Sequence, residues 1–231
     1  GAVSGRNVKE FFDIERYSAM HTWHVENGAL FEDVGQWKRP WYFPKAGESM
    51  QDTLDRECLA TRESVGILDA STLGKIDIQG PDAREFLNRV YTNAWSKLPV
   101  GRCRYGLMCH EDGMVFDDGV TSCITDNHFI MTTTSGGAAG VFNWLEEWHQ
   151  TEWPELDVYF NSVTDQWATM SISGPNARKL LGELTDIDLN PETFKFMDWR
   201  EGEVAGVPAR VFRISFTGEQ SYEINVQANY G

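Results

Sequence analysis

The chain has 231 residues, 41% of them hydrophobic, 13% aromatic and 24% charged, which suits a globular protein of one large domain or two small ones. Its 20 basic against 35 acidic residues leave a formal charge of −15, which repels phosphate backbones and anionic lipid and so argues against nucleic acid or a membrane as partner. No apolar run approaches the ~20 residues of a membrane span, and residues 1–10 lack the basic-then-apolar pattern of a signal peptide, so the expected location is the cytoplasm.

Along the chain, residues 1–45 concentrate aromatic surface at Trp23, Trp37, Trp41, Tyr42 and Phe43, which predicts a segment wrapped against a core or a partner. Pro40 and Pro44 interrupt it, predicting an irregular path with a short helix over 8–14. Residues 46–231 read as one larger region, opening with a helix over 52–64 that carries Leu54 and Cys58 on one side and stops at Gly66. An internal echo follows. Ile76-Asp77-Ile78-Gln79-Gly80-Pro81-Asp82-Ala83 resembles Met170-Ser171-Ile172-Ser173-Gly174-Pro175-Asn176-Ala177, with the two glycines 94 residues apart. Each copy reads as an alternating strand, a Gly-Pro corner and an amphipathic helix entered through proline. The expected fold class is therefore α+β with duplicated strand, Gly-Pro and helix units, in two interleaved subdomains of about 75–160 and the remainder.

Between the copies, Tyr105-Gly106-Leu107-Met108 and Met114-Val115-Phe116 flank Glu111-Asp112-Gly113, a hairpin signal because glycine accepts the positive φ of a tight turn. Asp117 and Asp118 continue the second strand. Side chains alternate faces along a strand, so the two carboxylates point in opposite directions. One can be solvated. The other faces an interior or a cleft, where an unpaired carboxylate costs several kcal/mol, roughly, without a partner or a task. The competing reading is a pair of solvated charges that block aggregation at a twisted edge. A further strand over 129–134, a helix over 138–149 with Val141, Trp144, Leu145 and Trp148 on one face, a hairpin over 204–213 turning near Gly206 and a strand over 222–226 complete the order. With no capping segment after that strand, the chain is expected to be a piece of a longer polypeptide.

Cys58, Cys103, Cys109 and Cys123 show no C-x-x-C spacing and are expected as reduced, packed thiols. His21 and His24 are too few for a metal site, so no metal is expected, and His110, His128 and His149 read as solvated or capping. Tyr105 and Asp118 lie in neighbouring strands and can converge on a small molecule. Glu223, in a half-apolar strand, is a second carboxylate for a flat ligand, against the reading of an exposed strand charge. Gly136-Gly137 lacks the spacing of a nucleotide loop and reads as a flexible corner.

Taken in order, Gly28-Ala29-Leu30-Phe31, Trp37-Lys38-Arg39-Pro40-Trp41-Tyr42, Leu68-Asp69-Ala70-Ser71-Thr72-Leu73-Gly74-Lys75, both Gly-Pro helices, Gly113 through Asp118 and Thr217-Gly218-Glu219 with Tyr222-Glu223-Ile224 resemble the folate-binding aminomethyltransferase family. That family takes in the glycine cleavage aminomethyltransferase and the C-terminal parts of sarcosine oxidase and dimethylglycine dehydrogenase. Within it, the stretch from Leu68 to Lys75 and Met131-Thr132-Thr133-Thr134 look most like sarcosine oxidase α subunits. The resemblance implies an oxidoreductase subunit whose region here binds tetrahydrofolate and captures the one-carbon unit of the iminium formed from sarcosine, giving 5,10-methylenetetrahydrofolate. It implies Asp118 as the catalytic carboxylate, and Tyr105, Glu223, Leu73 and Thr134 as folate contacts, with Asp117 structural. Flavin and NAD are expected only in missing domains or partner subunits, and the partners are folate and the other sarcosine oxidase subunits. The barrel-like third domain would lie beyond the chain, so the isolated piece is expected to be inactive. Two rivals stand beside this reading: a stand-alone aminomethyltransferase or demethylase, and a non-catalytic folate-binding or subunit-docking scaffold.

Overall fold

The computed structural model describes residues 16–231; the helix expected over 8–14 lies outside them. The described chain divides into two compact units, one contiguous, Leu73–Thr164, and one built from 16–72 together with Asp165–Gly231. No helix among the described residues is long and apolar enough to cross a membrane.

The discontinuous unit begins with β1 (Arg16–Tyr17), α1 (His21–Glu26), β2 (Leu30–Val34) and β3 (Trp37–Tyr42), whose strands form a sheet in the order β1-β3-β2. A regular strand thus replaces the irregular path expected around Pro40. β1 pairs only with Trp37 and Lys38, so no ladder on that side needs the N–H that Pro40 lacks, and on the other side Pro40 sits at a register shift opposite Phe31.

α2 (Met50–Glu63) opens on a capping box between Ser49 and Asp52, and β4 (Gly66–Asp69) follows. The inward stripe of α2 is not the one expected, for Thr53 is its buried residue and Cys58 is exposed rather than packed. Polar pins turn the helix. Arg56 Nη2 donates to the Phe43 carbonyl at 2.8 Å, and the Phe43 N–H donates to Glu57 at 2.9 Å, which brings the 53, 56, 57 side inward.

The contiguous unit holds β5 (Gly74–Gln79), α3 (Ala83–Val90), β6 (Cys103–Cys109), β7 (Val115–Thr125), β8 (His128–Thr133), α4 (Ala138–Thr151) and β9 (Tyr159–Ser162). Its antiparallel sheet runs β6-β7-β8-β5-β9, and Ile76, Phe86, Trp95, Met108, Phe129 and Leu145 fill the core on one face. The chain then returns to the first unit with β10 (Trp167–Ser173), α5 (Ala177–Gly182), β11 (Trp199–Val204), β12 (Val207–Phe212) and β13 (Ser221–Gln227). That sheet runs β11-β12-β13-β10-β4 over a core of Ile172, Leu181, Phe194, Val211, Tyr222 and Ile224.

The two sheet orders are one pattern used twice in an α+β fold. Each places a strand, its Gly-Pro helix and the next three strands in the same sequence, and each is completed by a further strand at the edge beside the first, β9 next to β5 and β4 next to β10. The corners match in detail. Gly80 at φ +138° and Gly174 at φ +127° hold backbone conformations that side chains rarely adopt. A Cβ at Gly80 would lie 2.2 Å from the Asp157 carbonyl oxygen, and one at Gly174 would lie 2.5 Å from that of Ser64. Both corners therefore lie against the backbone that leads into the strand completing the sheet edge, β9 after Asp157 and β4 after Ser64. The Asp82 N–H bonds the Asp157 carbonyl at 3.2 Å and the Asn176 N–H bonds that of Ser64 at 3.0 Å.

Candidate functional site

The β6–β7 hairpin turns through Asp112-Gly113, closed by the His110 N–H on the Met114 carbonyl at 2.9 Å. Its register then shifts: Met108 pairs with Asp117 while Cys109 pairs with Val115, leaving Phe116 as a bulged residue. A bulge bends a strand and re-aims the side chains after it. Here it precedes the two aspartates directly.

Asp117 points into the unit and is 5% exposed. It accepts hydrogen bonds from the Asp118 N–H at 2.7 Å, the Thr134 N–H at 3.1 Å and the Thr134 hydroxyl at 3.0 Å. The same hydroxyl accepts from the Gly137 N–H at 3.1 Å, at the cap of α4. A Cβ at Gly137 would sit 1.9 Å from Asp117 Oδ2, so the Gly136-Gly137 corner is a close-packed seat for this carboxylate. An anion beside the first turn of a helix is further favoured by the helix dipole.

Asp118 points the other way and is half-buried. The Tyr105 hydroxyl donates to its Oδ2 at 2.7 Å, and Oδ1 accepts no hydrogen bond among the described residues. That hydrogen bond, helped by partial burial and the negative charge of Asp118, raises the pKa of the Tyr105 phenol, so at neutral pH it stays a donor. Pairing of Asp118 with Leu107 and of Val120 with Tyr105 puts the phenol and the carboxylate diagonally across one face. Thr132 bonds the Val120 backbone on that face and pairs with Lys75. Leu73, half-buried and two residues before Lys75, extends the same row, and the buried Lys75 ammonium donates to its carbonyl at 2.9 Å.

Of the residues singled out in the sequence, Tyr105 and Asp118 are thus hydrogen-bonded together, Leu73 shares their face, and Thr134 is joined to Asp117. Glu223 belongs to the discontinuous unit. Tyr222 and Ile224 enter that core, so Glu223 is on the opposite face of β13, half-buried, opposite Ser171 on β10 and Phe212 on β12. This face is polar. Ser173 bonds Ser221 at 2.8 Å and Thr169 bonds Asn225 at 2.6 Å. Ser221 also lines a cavity of about 300 Å³ with Phe196, Arg213, Ser215 and Glu219.

Sequence reasoning missed Lys75, whose signal is the one cation in a strand that alternates Lys75, Asp77 and Gln79 with Ile76 and Ile78, and a buried knot around Asp69. Ser18 donates to Asp69 Oδ2 at 2.6 Å, His24 Nε2 lies 2.9 Å from the same oxygen, and the Ser71 N–H donates to Oδ1 at 2.9 Å. His24 thereby ties α1 to the end of β4. The histidines read as solvated or capping also have partners, His128 on Asp77 at 2.6 Å and His149 on the Leu156 carbonyl at 2.9 Å.

Comparison with known proteins matches residues 20–231 to the family model of the GCVT N-terminal domain. The chain is 56% identical over its whole length to a sarcosine oxidase subunit alpha of Corynebacterium sp. (strain P-1), of which it spans 24%. It is 32% identical to an aminomethyltransferase of Thermotoga maritima, over 89% of the chain and 52% of that relative. Among solved structures, a glycine cleavage system aminomethyltransferase T from Bartonella henselae overlays on 94% of the chain and 55% of its own at a TM-score of 0.78 and 23% identity, a likeness of fold.

Proposed function

The chain belongs to the family of the GCVT N-terminal domain, and on that footing we propose that it is the folate-binding, one-carbon-transferring part of an oxidoreductase α subunit of the sarcosine oxidase kind. The single observation that supports this best is the Tyr105–Asp118 pair. A half-exposed phenol holds one oxygen of a carboxylate whose other oxygen is left to accept from a ligand, which suits a substrate that carries N–H groups and develops positive charge.

In this reading, oxidative demethylation of sarcosine elsewhere in the assembly delivers an iminium, and tetrahydrofolate takes up its one-carbon unit as 5,10-methylenetetrahydrofolate. Flavin, which supplies the oxidation, and NAD belong to other domains or partner subunits. Asp118 stabilises the cation, takes the proton lost from the attacking folate nitrogen and passes it to the amine nitrogen, whose bond to the one-carbon unit breaks as the second folate nitrogen closes the ring and glycine leaves. Tyr105 keeps the carboxylate aimed, Leu73 offers an apolar wall to the pterin, and Glu223 holds the pterin by paired hydrogen bonds. Thr134 serves the site from behind, through Asp117 and the Asp118 backbone.

The test is calorimetric titration of tetrahydrofolate into the complete subunit, beside one-carbon transfer by the assembled enzyme. Glu223→Ala is expected to weaken folate binding at least tenfold. Asp118→Asn is expected to leave binding within a few-fold while the one-carbon unit escapes as formaldehyde. Full transfer by Asp118→Asn would remove its catalytic role and leave a docking scaffold as the better reading.

A further inference from the structure

The contiguous unit carries a second feature, on the core side of the β6–β7 hairpin rather than on the Tyr105–Asp118 face, and unused by the proposed reaction. A row of rings runs from the tip of the β6–β7 hairpin along α4: His110 to Phe116 at 4.7 Å, Phe116 to Trp144 at 5.3 Å, Trp144 to Trp148 at 6.1 Å, and Trp148 stacked on Trp153 at 5.2 Å. From Phe116 to Trp153 these rings are half-buried, and Phe116, Trp144 and Trp153 pack against the core. Gly140, a turn before Trp144 on the same stripe, leaves a shallow gap, for a Cβ there would meet only Phe116, at 3.9 Å. Met114 and Val115 extend the apolar surface at the hairpin end, 66% and 59% exposed.

Exposed carboxylates rim this row, with Glu111 and Asp112 at the turn, Glu147 along the helix and Glu152 and Glu155 at the far end. Between Arg104 and Arg178 the sequence has no lysine or arginine. One basic side chain reaches the row from α3: the Arg89 guanidinium lies 5.2 Å over the Trp153 ring and 3.6 Å from Glu155. It shows in miniature the contact that the remaining rings offer, a cation on an indole face beside a carboxylate.

We propose that this row is a docking surface for a lysine- and arginine-bearing segment of a partner subunit. The aromatic faces take the cations and aliphatic stems of such a segment, and the acidic rim selects its charge against the acidic surfaces of other copies of this chain. The inference rests on the chain working as one subunit of a larger assembly and uses none of Tyr105, Asp118 or Glu223.

The test is treatment of the complete subunit, with the polypeptides that co-purify with it, by a zero-length carbodiimide that joins carboxylates to lysine amines, followed by peptide mass spectrometry. Glu147, Glu152 or Glu155 is expected to be joined to lysines of a partner subunit. The exposed pair Glu147→Lys with Glu152→Lys is expected to weaken the complex at least tenfold, and the matched pair Asp55→Lys with Glu63→Lys on α2 to leave it unchanged. Partner cross-links confined to other carboxylates, cross-links only to a second copy of this chain, equal weakening by both pairs, or a subunit that purifies alone would each overturn the proposal.

Discussion

Asp117 and Asp118 are neighbours in the chain with opposite surroundings, and the contrast has consequences for each. Asp117 is satisfied by three donors in a buried seat, the signature of a carboxylate that holds structure. Asp118 has one donor, a phenol, and that phenol reports on it. A raised Tyr105 pKa means the pair contributes stability that is present below the ordinary tyrosine value of about 10 and is lost as pH rises through the higher folded value. Tyr91, raised by burial, and Tyr159, raised by its bond to Asp157, also ionise late, so the readout is a difference. Ultraviolet titration should show one late-ionising tyrosine fewer in Asp118→Asn than in the parent, and superimposable curves would refute the pairing. Strand alternation made the opposed directions of the two aspartates legible in sequence. Which one turns inward was not, because the bulge at Phe116 depends on a register that only the paired strand reveals.

At the scale of elements, the Gly-Pro corners are the most informative feature. Their repetition was visible in the residues, and their cause is a positive φ combined with a backbone that passes too close for any side chain. Gly80→Ala and Gly174→Ala should each cost about 1–3 kcal/mol from backbone strain. Urea denaturation should show both variants with lowered midpoints, and a midpoint equal to the parent's at either corner would break their equivalence. Two other elements departed from expectation for reasons of partnership. β3 runs through Pro40 because its neighbour β1 ends before reaching it. α2 turns its Cys58 side to solvent because Arg56 and Glu57 grip the Phe43 backbone, and hydrogen bonds to a distant residue leave no trace in helical periodicity.

At the scale of the whole molecule, one unit is an uninterrupted stretch with its own sheet and core, inserted into a unit made of two pieces. The ends of the stretch are pinned to each other, with the Lys75 N–H on the Thr164 hydroxyl and the Val163 N–H on the Lys75 carbonyl, both at 2.9 Å. Residues 73–164 expressed alone should therefore fold, with a cooperative thermal transition and an ordered near-ultraviolet spectrum from Trp95, stacked on Tyr91 in the core. A gradual, featureless melt would show that the stretch depends on the rest of the chain. The amino-acid sequence by itself determined the α+β class, the duplicated corners, the hairpin that carries Asp117 and Asp118 and the family, since periodicity, turn chemistry and motif order are written in neighbouring residues. Only the tertiary structure decided which strand completes which sheet, that Thr134 and Gly137 form the seat of Asp117, that Tyr105 closes on Asp118 and that the rings of α4 join into one row. Those outcomes depend on pairings between residues far apart in the chain, which no local pattern encodes.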